Sequence, residues 1–150
     1  MKVLLAALML FSFTASAETK EANEKKAEMV NRALDLRLVA ETAEELFEAQ
    51  EYSSACESVD ELLRGLPAHL NDLHSSVDGM KKMKKESVSV ILDAHKLHNR
   101  CKDGKDHQYV DAKKARKQMK QAAKKIKRHA TLIEDKYTGQ SYPFKWGYSF

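Results

Sequence analysis

Three groups of side chains in this 150-residue chain could do chemistry. The stretch DAHKLHNRC sets His95, His98 and Cys101 at three-residue steps. On one helix face these would offer two imidazole nitrogens and a thiolate to zinc or copper. The competing reading is a solvated helix face with Cys101 engaged in a disulfide, since no fourth ligand is visible. The second group is KKARKQMKQAAKKIKRH, which carries Lys113, Lys114, Arg116, Lys117, Lys120, Lys124, Lys125, Lys127 and Arg128 around a thin Ala-rich seam. Such a helix either binds an anion (lipid head groups, lipopolysaccharide) or is a solubilising face balanced by the acids Glu41, Glu44, Glu45, Glu48 and Glu51. The third group is aromatic. Tyr142, Phe144, Trp146, Tyr148 and Phe150 fall on every second position, the period of a strand. With no sheet of its own to join, this segment could cover the open end of a helical core. It could equally add to a partner's sheet edge or lie in a membrane interface.

Catalytic patterns are missing from the chain. It has no Gly-rich phosphate loop, no G-x-S-x-G elbow and no H-E-x-x-H pair. The expectation is a protein that works by binding, without enzymatic activity and without a cofactor.

Several features set the context for that binding. MKVLLAALMLFSFTASA has a Lys, an apolar run from Val3 to Phe13, and Ala15-Ser16-Ala17 as a cleavage pattern. This reads as a secretory signal over residues 1–17, removed before Glu18. No second apolar stretch follows, so the mature chain is expected to have no transmembrane segment and to be exported. The periplasm is the first expectation, and a secreted eukaryotic protein the alternative. Export disfavours nucleic acid as the partner and favours an envelope protein or an anionic surface. It also favours a disulfide between Cys56 and Cys101, the only cysteines. Residues 18–65 carry 13 acids and 6 bases, whereas residues 66–150 carry 9 acids and 19 bases. An acidic half therefore precedes a basic half, and the two can pair within one domain or leave a basic face for a partner.

The elements that position these groups are helical. Gly and Pro are scarce, and Ala, Glu, Lys and Leu dominate. A first helix is expected from Glu18 to Ala49, with Met29, Ala33, Leu36, Ala40, Ala43 and Phe47 as its apolar stripe. Ser54 and Glu57 fit a capping box for the next helix, whose core positions are Ala55, Val59, Leu62, Leu63 and Leu66. Gly65 and Pro67 then mark a stop or a kink, and the pattern resumes at Leu70, Leu73 and Val77. A third helix is expected from Met80 to Cys101 with Met83, Val88, Ile91, Ala94 and Leu97 inside. A fourth runs from His107 to Lys136 with Ala112, Ala115, Met119, Ala122, Ile126 and Ile133 inside. A bond between the cysteines would favour a kink at Pro67, and the alternative is a more irregular helical fold with two free thiols. Cys56 lies 23 residues before Gly79 and Cys101 22 after it, so a reversal at Gly79 sets them level. The fold expected is all-α: an antiparallel four-helix bundle, up-down-up-down, over residues 18–136. Its second helix is kinked, and an extended aromatic tail covers 137–150.

Three resemblances accompany this reading. Residues 36–69 resemble a tetratricopeptide repeat in phase, with Tyr52, Ala55 and Pro67 in place but Gln50 where the turn has Gly. No second copy follows, so the segment reads as an ordinary helical hairpin. DAHKLHNRCK and DAKKARKQMK resemble the third helix and the start of the fourth in the periplasmic b-type cytochromes. That resemblance implies haem held between a Met and a His, for which Met29 and His129 stand as candidates. Carrying the second stretch forward places Lys127 at the axial His position. A haem- or metal-binding electron carrier is therefore the alternative function. The residues Tyr148, Ser149 and Phe150 resemble the closing residues of bacterial outer-membrane barrel proteins, which implies a terminal recognition tag.

Overall fold

The computed structural model describes residues 3–76, 81–103 and 109–138, with side chains over 20–74, 82–102 and 109–135. Four helices follow one another: α1 (Val3–Glu48), α2 (Tyr52–Ser76), α3 (Lys81–Asp103) and α4 (Ala112–Thr138). There is no strand among the described residues. α1 packs on α2 and most extensively on α4, α2 packs on α3, and α3 meets α4 over a shorter length.

The apolar stripes build the core. Met29, Ala33, Leu36, Ala40, Ala43 and Phe47 of α1 are all buried, as their spacing requires. They face Ala115, Met119, Ala122, Ala123, Ile126, Ala130 and Ile133 of α4. Alanines on both helices keep side chains short at this contact, which permits close approach of the two axes. α2 contributes Val59, Leu62, Leu66 and Leu73, and burying each Leu contributes about 1.5–3 kcal/mol.

The α1–α2 turn shows how the chain reverses. Gln50 sits at φ 62°, the left-handed region. Glu51 N–H donates to Leu46 C=O at 3.0 Å and Gln50 N–H to Phe47 C=O at 3.3 Å, the paired bonds of a Schellman C-cap. A β-carbon in that region is strained, so Gln50→Gly is expected to stabilise the protein by about 0.5–1 kcal/mol. A lower urea midpoint in that variant would show instead that the Gln50 side chain holds the turn.

Several boundaries differ from those the sequence suggests. α1 is assigned helical from Val3, ahead of Glu18. α2 begins at Tyr52, with Ala55 N–H already bonded to Glu51 C=O at 2.9 Å. Ser54 therefore lies inside the first turn and is not the cap. α2 also continues through Gly65 and Pro67. Pro67 removes one donor, but it lies on the exposed side, where water can satisfy the freed carbonyl. Gly65 is not a cap: a β-carbon there would stand 2.5 Å from Leu36 Cδ2, so the glycine lets α2 approach α1. Gly79 and Gly104, read as turn residues, lie outside the described residues.

α4 begins later than His107. Asp111 caps it: its Oδ1 accepts from Lys114 N–H at 3.0 Å, and its C=O accepts from Ala115 N–H at 2.8 Å. Asp111→Ala is expected to cost about 1 kcal/mol and Asp111→Asn much less, read as urea-midpoint shifts. On α3 the inward phase is Met83, Ser87, Val90, Ala94 and Leu97. Val88, expected inside, is 43 % exposed. The misreading follows from Ser87, a polar residue that sits in the core because its hydroxyl donates to Met83 C=O at 3.1 Å.

Candidate functional site

The inward phase of α4 decides where its nine basic side chains go. Lys113, Lys117, Lys120, Lys124 and Lys127 recur at steps of four and three, which places them on one face, and all five are exposed. From first to last they span about 21 Å of helix. The remaining bases flank this line. Arg116 Nη1 lies 2.9 Å from Glu48 Oε1 and its Nε lies 3.6 Å from Glu44 Oε1. Lys120 Nζ lies 3.8 Å from the same Glu44 oxygen. On the other flank Lys125 Nζ donates to Ser89 Oγ at 3.3 Å and Arg128 pairs with Glu86. The acidic helix thus neutralises one edge of the basic helix and leaves its outer face to solvent. Within the line, Lys120 has a carboxylate partner among the described residues. Exposed pairs of this kind contribute about 0–1 kcal/mol each.

A second polar group lies inside the core, where the sequence pattern had not placed one. His69 of α2 and His129 of α4 are 1 % and 0 % exposed. Their rings are 5.3 Å apart between centroids, and His69 Nε2 lies 3.0 Å from His129 Nδ1. Ser87 Oγ stands 3.4 Å from the same Nδ1, and His129 Nε2 faces Glu86 Oε2 at 3.6 Å. One tautomer fits the hydrogen bond between the rings, while His129 Nε2 and Glu86 Oε2 stay buried without a hydrogen bond. His69 Nε2–H donates to Nδ1 of His129, whose own Nε2–H points at the Glu86 carboxylate. Burial, with smaller contributions from neighbouring charges, lowers the pKa of His69 to about 4 and that of His129 to about 3. Both rings are therefore neutral at neutral pH, and His129 meets Glu86 as a dipole rather than as an ion pair. The heptad phase carried the signal: His69 continues Leu62 and Leu66, and His129 continues Ala122 and Ile126.

Cys56 and Cys101 form a disulfide with Cα atoms 6.0 Å apart. This removes Cys101 from any ligand set with His95 and His98. Those two histidines line a cleft of about 380 Å³ with Asp60, Leu63 and Arg64, and His98 Nδ1 is bonded to Asp60 Oδ1. Among the described residues no group of three or more His, Cys, Asp or Glu is arranged to hold a metal ion. Met29 is buried on α1 and His129 on α4. Tyr142, Phe144, Trp146, Tyr148 and Phe150 lie outside the described residues. No helix among the described residues is long and apolar enough to cross a membrane. No protein-family model, curated protein or solved structure matches the chain.

Proposed function

We propose that this chain is an exported, non-enzymatic helical binding protein that engages an anionic partner of the cell envelope through the outer face of α4. The observation that carries this reading is the exposed lysine line Lys113, Lys117, Lys120, Lys124 and Lys127 on a helix whose two arginines, Arg116 and Arg128, are paired with carboxylates at its sides. In this reading the aromatic residues from Tyr142 to Phe150 supply a second contact. Residues 1–17 are a signal removed before Glu18, and the Cys56–Cys101 bond belongs to an oxidising compartment.

The proposed frame is an up-down-up-down bundle with a kink at Pro67. Cross-helix pairs that run in opposite order support it: Cys56 with Cys101 and Asp60 with His98, then Glu48 with Arg116 and Glu44 with Lys120. The test is binding of the mature chain to heparin at low salt. Retention should fall as salt rises, because the contact is between solvent-exposed charges. A quadruple Gln variant at Lys113, Lys117, Lys124 and Lys127 should weaken it by at least about tenfold. Equal retention of wild type and variant would sink the assignment.

A second reading, a haem-binding electron carrier, draws on the burial of both Met29 and His129. Against it, the two ring nitrogens of His129 already face His69 and Glu86. An absorbance spectrum of the protein purified from its native compartment decides it by the presence or absence of a Soret band.

A further inference from the structure

We infer that the anionic partner is a lipid bilayer and that the ridge of α3 is the part of the molecule that enters its interface. The inference rests on the reading of α4 as an anion-binding face and names that anion as a phospholipid surface.

Lys85, Val88, Leu92 and Lys96 are three, four and four residues apart, so they lie on one line along α3. All four are exposed, Val88 by 43 % and Leu92 by 55 %. An apolar pair one turn long therefore stands between two lysines, each one turn further out. Lys82 is exposed beside them. Between residues 82 and 102 the acids of α3 are Glu86 and Asp93, and neither is in the exposed class. Glu86 is paired with Arg128, and Asp93 Oδ1 lies 3.9 Å from Lys96 Nζ. No acid of the exposed class therefore lies on α3 between those residues, and Asp93 stands half-buried at the edge of the ridge beside Lys96.

That pattern discriminates between anions. A soluble polyanion rewards lysines and gains nothing from exposed Val and Leu. A bilayer interface rewards both, because apolar side chains sink below the phosphates while flanking lysines reach up to them. Each lysine near an anionic leaflet also adds attraction that salt screens. α3 packs against α4, with Ser89 bonded to Lys125, so the ridge adjoins the basic helix. The charges of α4 would draw the protein to the surface, and Val88 and Leu92 would hold it there. Binding of this kind is peripheral and reversible, since only two side chains enter.

The test uses the full mature chain with three probes: phosphatidylcholine vesicles, vesicles mixed with phosphatidylglycerol, and heparin. Wild type is expected to bind the mixed vesicles and heparin, and plain phosphatidylcholine far less. The double variant Val88→Ser/Leu92→Ser changes exposed positions only, so it should melt as wild type does. It is expected to lose about tenfold in binding to mixed vesicles while heparin binding is unchanged. Wild-type vesicle binding retained by that variant would overturn the inference, as would wild type that binds heparin but no vesicle. Failure of the underlying reading looks different: the quadruple Gln variant of α4 would then bind both heparin and vesicles like wild type. Wild type that binds none of the three probes would overturn both.

Discussion

Between pH 8 and about pH 5 the folded chain is expected to lose on the order of 4 kcal/mol of stability. The loss comes from His69 and His129. In the unfolded chain each imidazole has an ordinary value of 6.5, whereas in the core they titrate at about 4 and about 3. A group whose folded pKa lies below its unfolded pKa binds its proton more readily when unfolded. Its contribution is therefore complete well above pH 6.5 and disappears as the pH falls through 6.5 toward the folded value. At about pH 5 each histidine accounts for roughly 2 kcal/mol. Desolvation is the leading cause for both rings, with the cations Arg32, Lys125 and Arg128 acting in the same direction. Asp72 opposes the shift at His69, Glu86 faces His129 Nε2 at 3.6 Å, and Ser87 completes the surroundings with a neutral hydroxyl. Urea unfolding at several pH values would show the midpoint fall with acid. His69→Leu/His129→Leu should flatten that dependence whatever its stability at pH 8. A midpoint that is the same at pH 8 and pH 5 in wild type would mean that the pair is not buried as described.

Reduction of the disulfide is expected to have an effect of similar size. The bond joins residues 45 apart, and closing a loop of that length restricts the unfolded chain by about 4 kcal/mol in the chain-entropy account. The folded state should change little, because α2 and α3 are also held by Leu62, Leu66, Ala94 and Leu97 in the shared core. A Cys56→Ser/Cys101→Ser variant, or wild type in reductant, should therefore keep its helical content while its urea midpoint drops by about 2 M. If the midpoint does not move, residual structure in the unfolded chain already brings the two segments together.

The amino-acid sequence by itself determined the helical class and the inward phase of most of the chain. Met29, Ala33, Leu36, Ala40, Ala43 and Phe47 repeat at helical spacing, and every one is buried. It also pointed to the cysteine pair, since Cys56 and Cys101 are the only two cysteines of a chain that reads as exported. The helical phase rests on local rules in which a residue's environment follows from its neighbours in the chain.

Only the tertiary structure decided which polar residues meet. Nothing near His69 announces His129 sixty residues later, and the pairing exists because both occupy apolar phases on facing helices. Ser87 and Val88 exchange their expected places for the same reason, since the hydroxyl has a carbonyl to bond and the core contact falls one residue earlier. Gly65 resembles a helix end in sequence and is a contact surface in space, because what it accommodates is Leu36 of another helix. The basic helix was legible as a run of nine charges. Which of them belong to Glu44, Glu48 and Glu86, and which face solvent, depended on how α1 and α3 lie against it. Charge pairing is a property of distance in space, and a sequence records distance only along the chain.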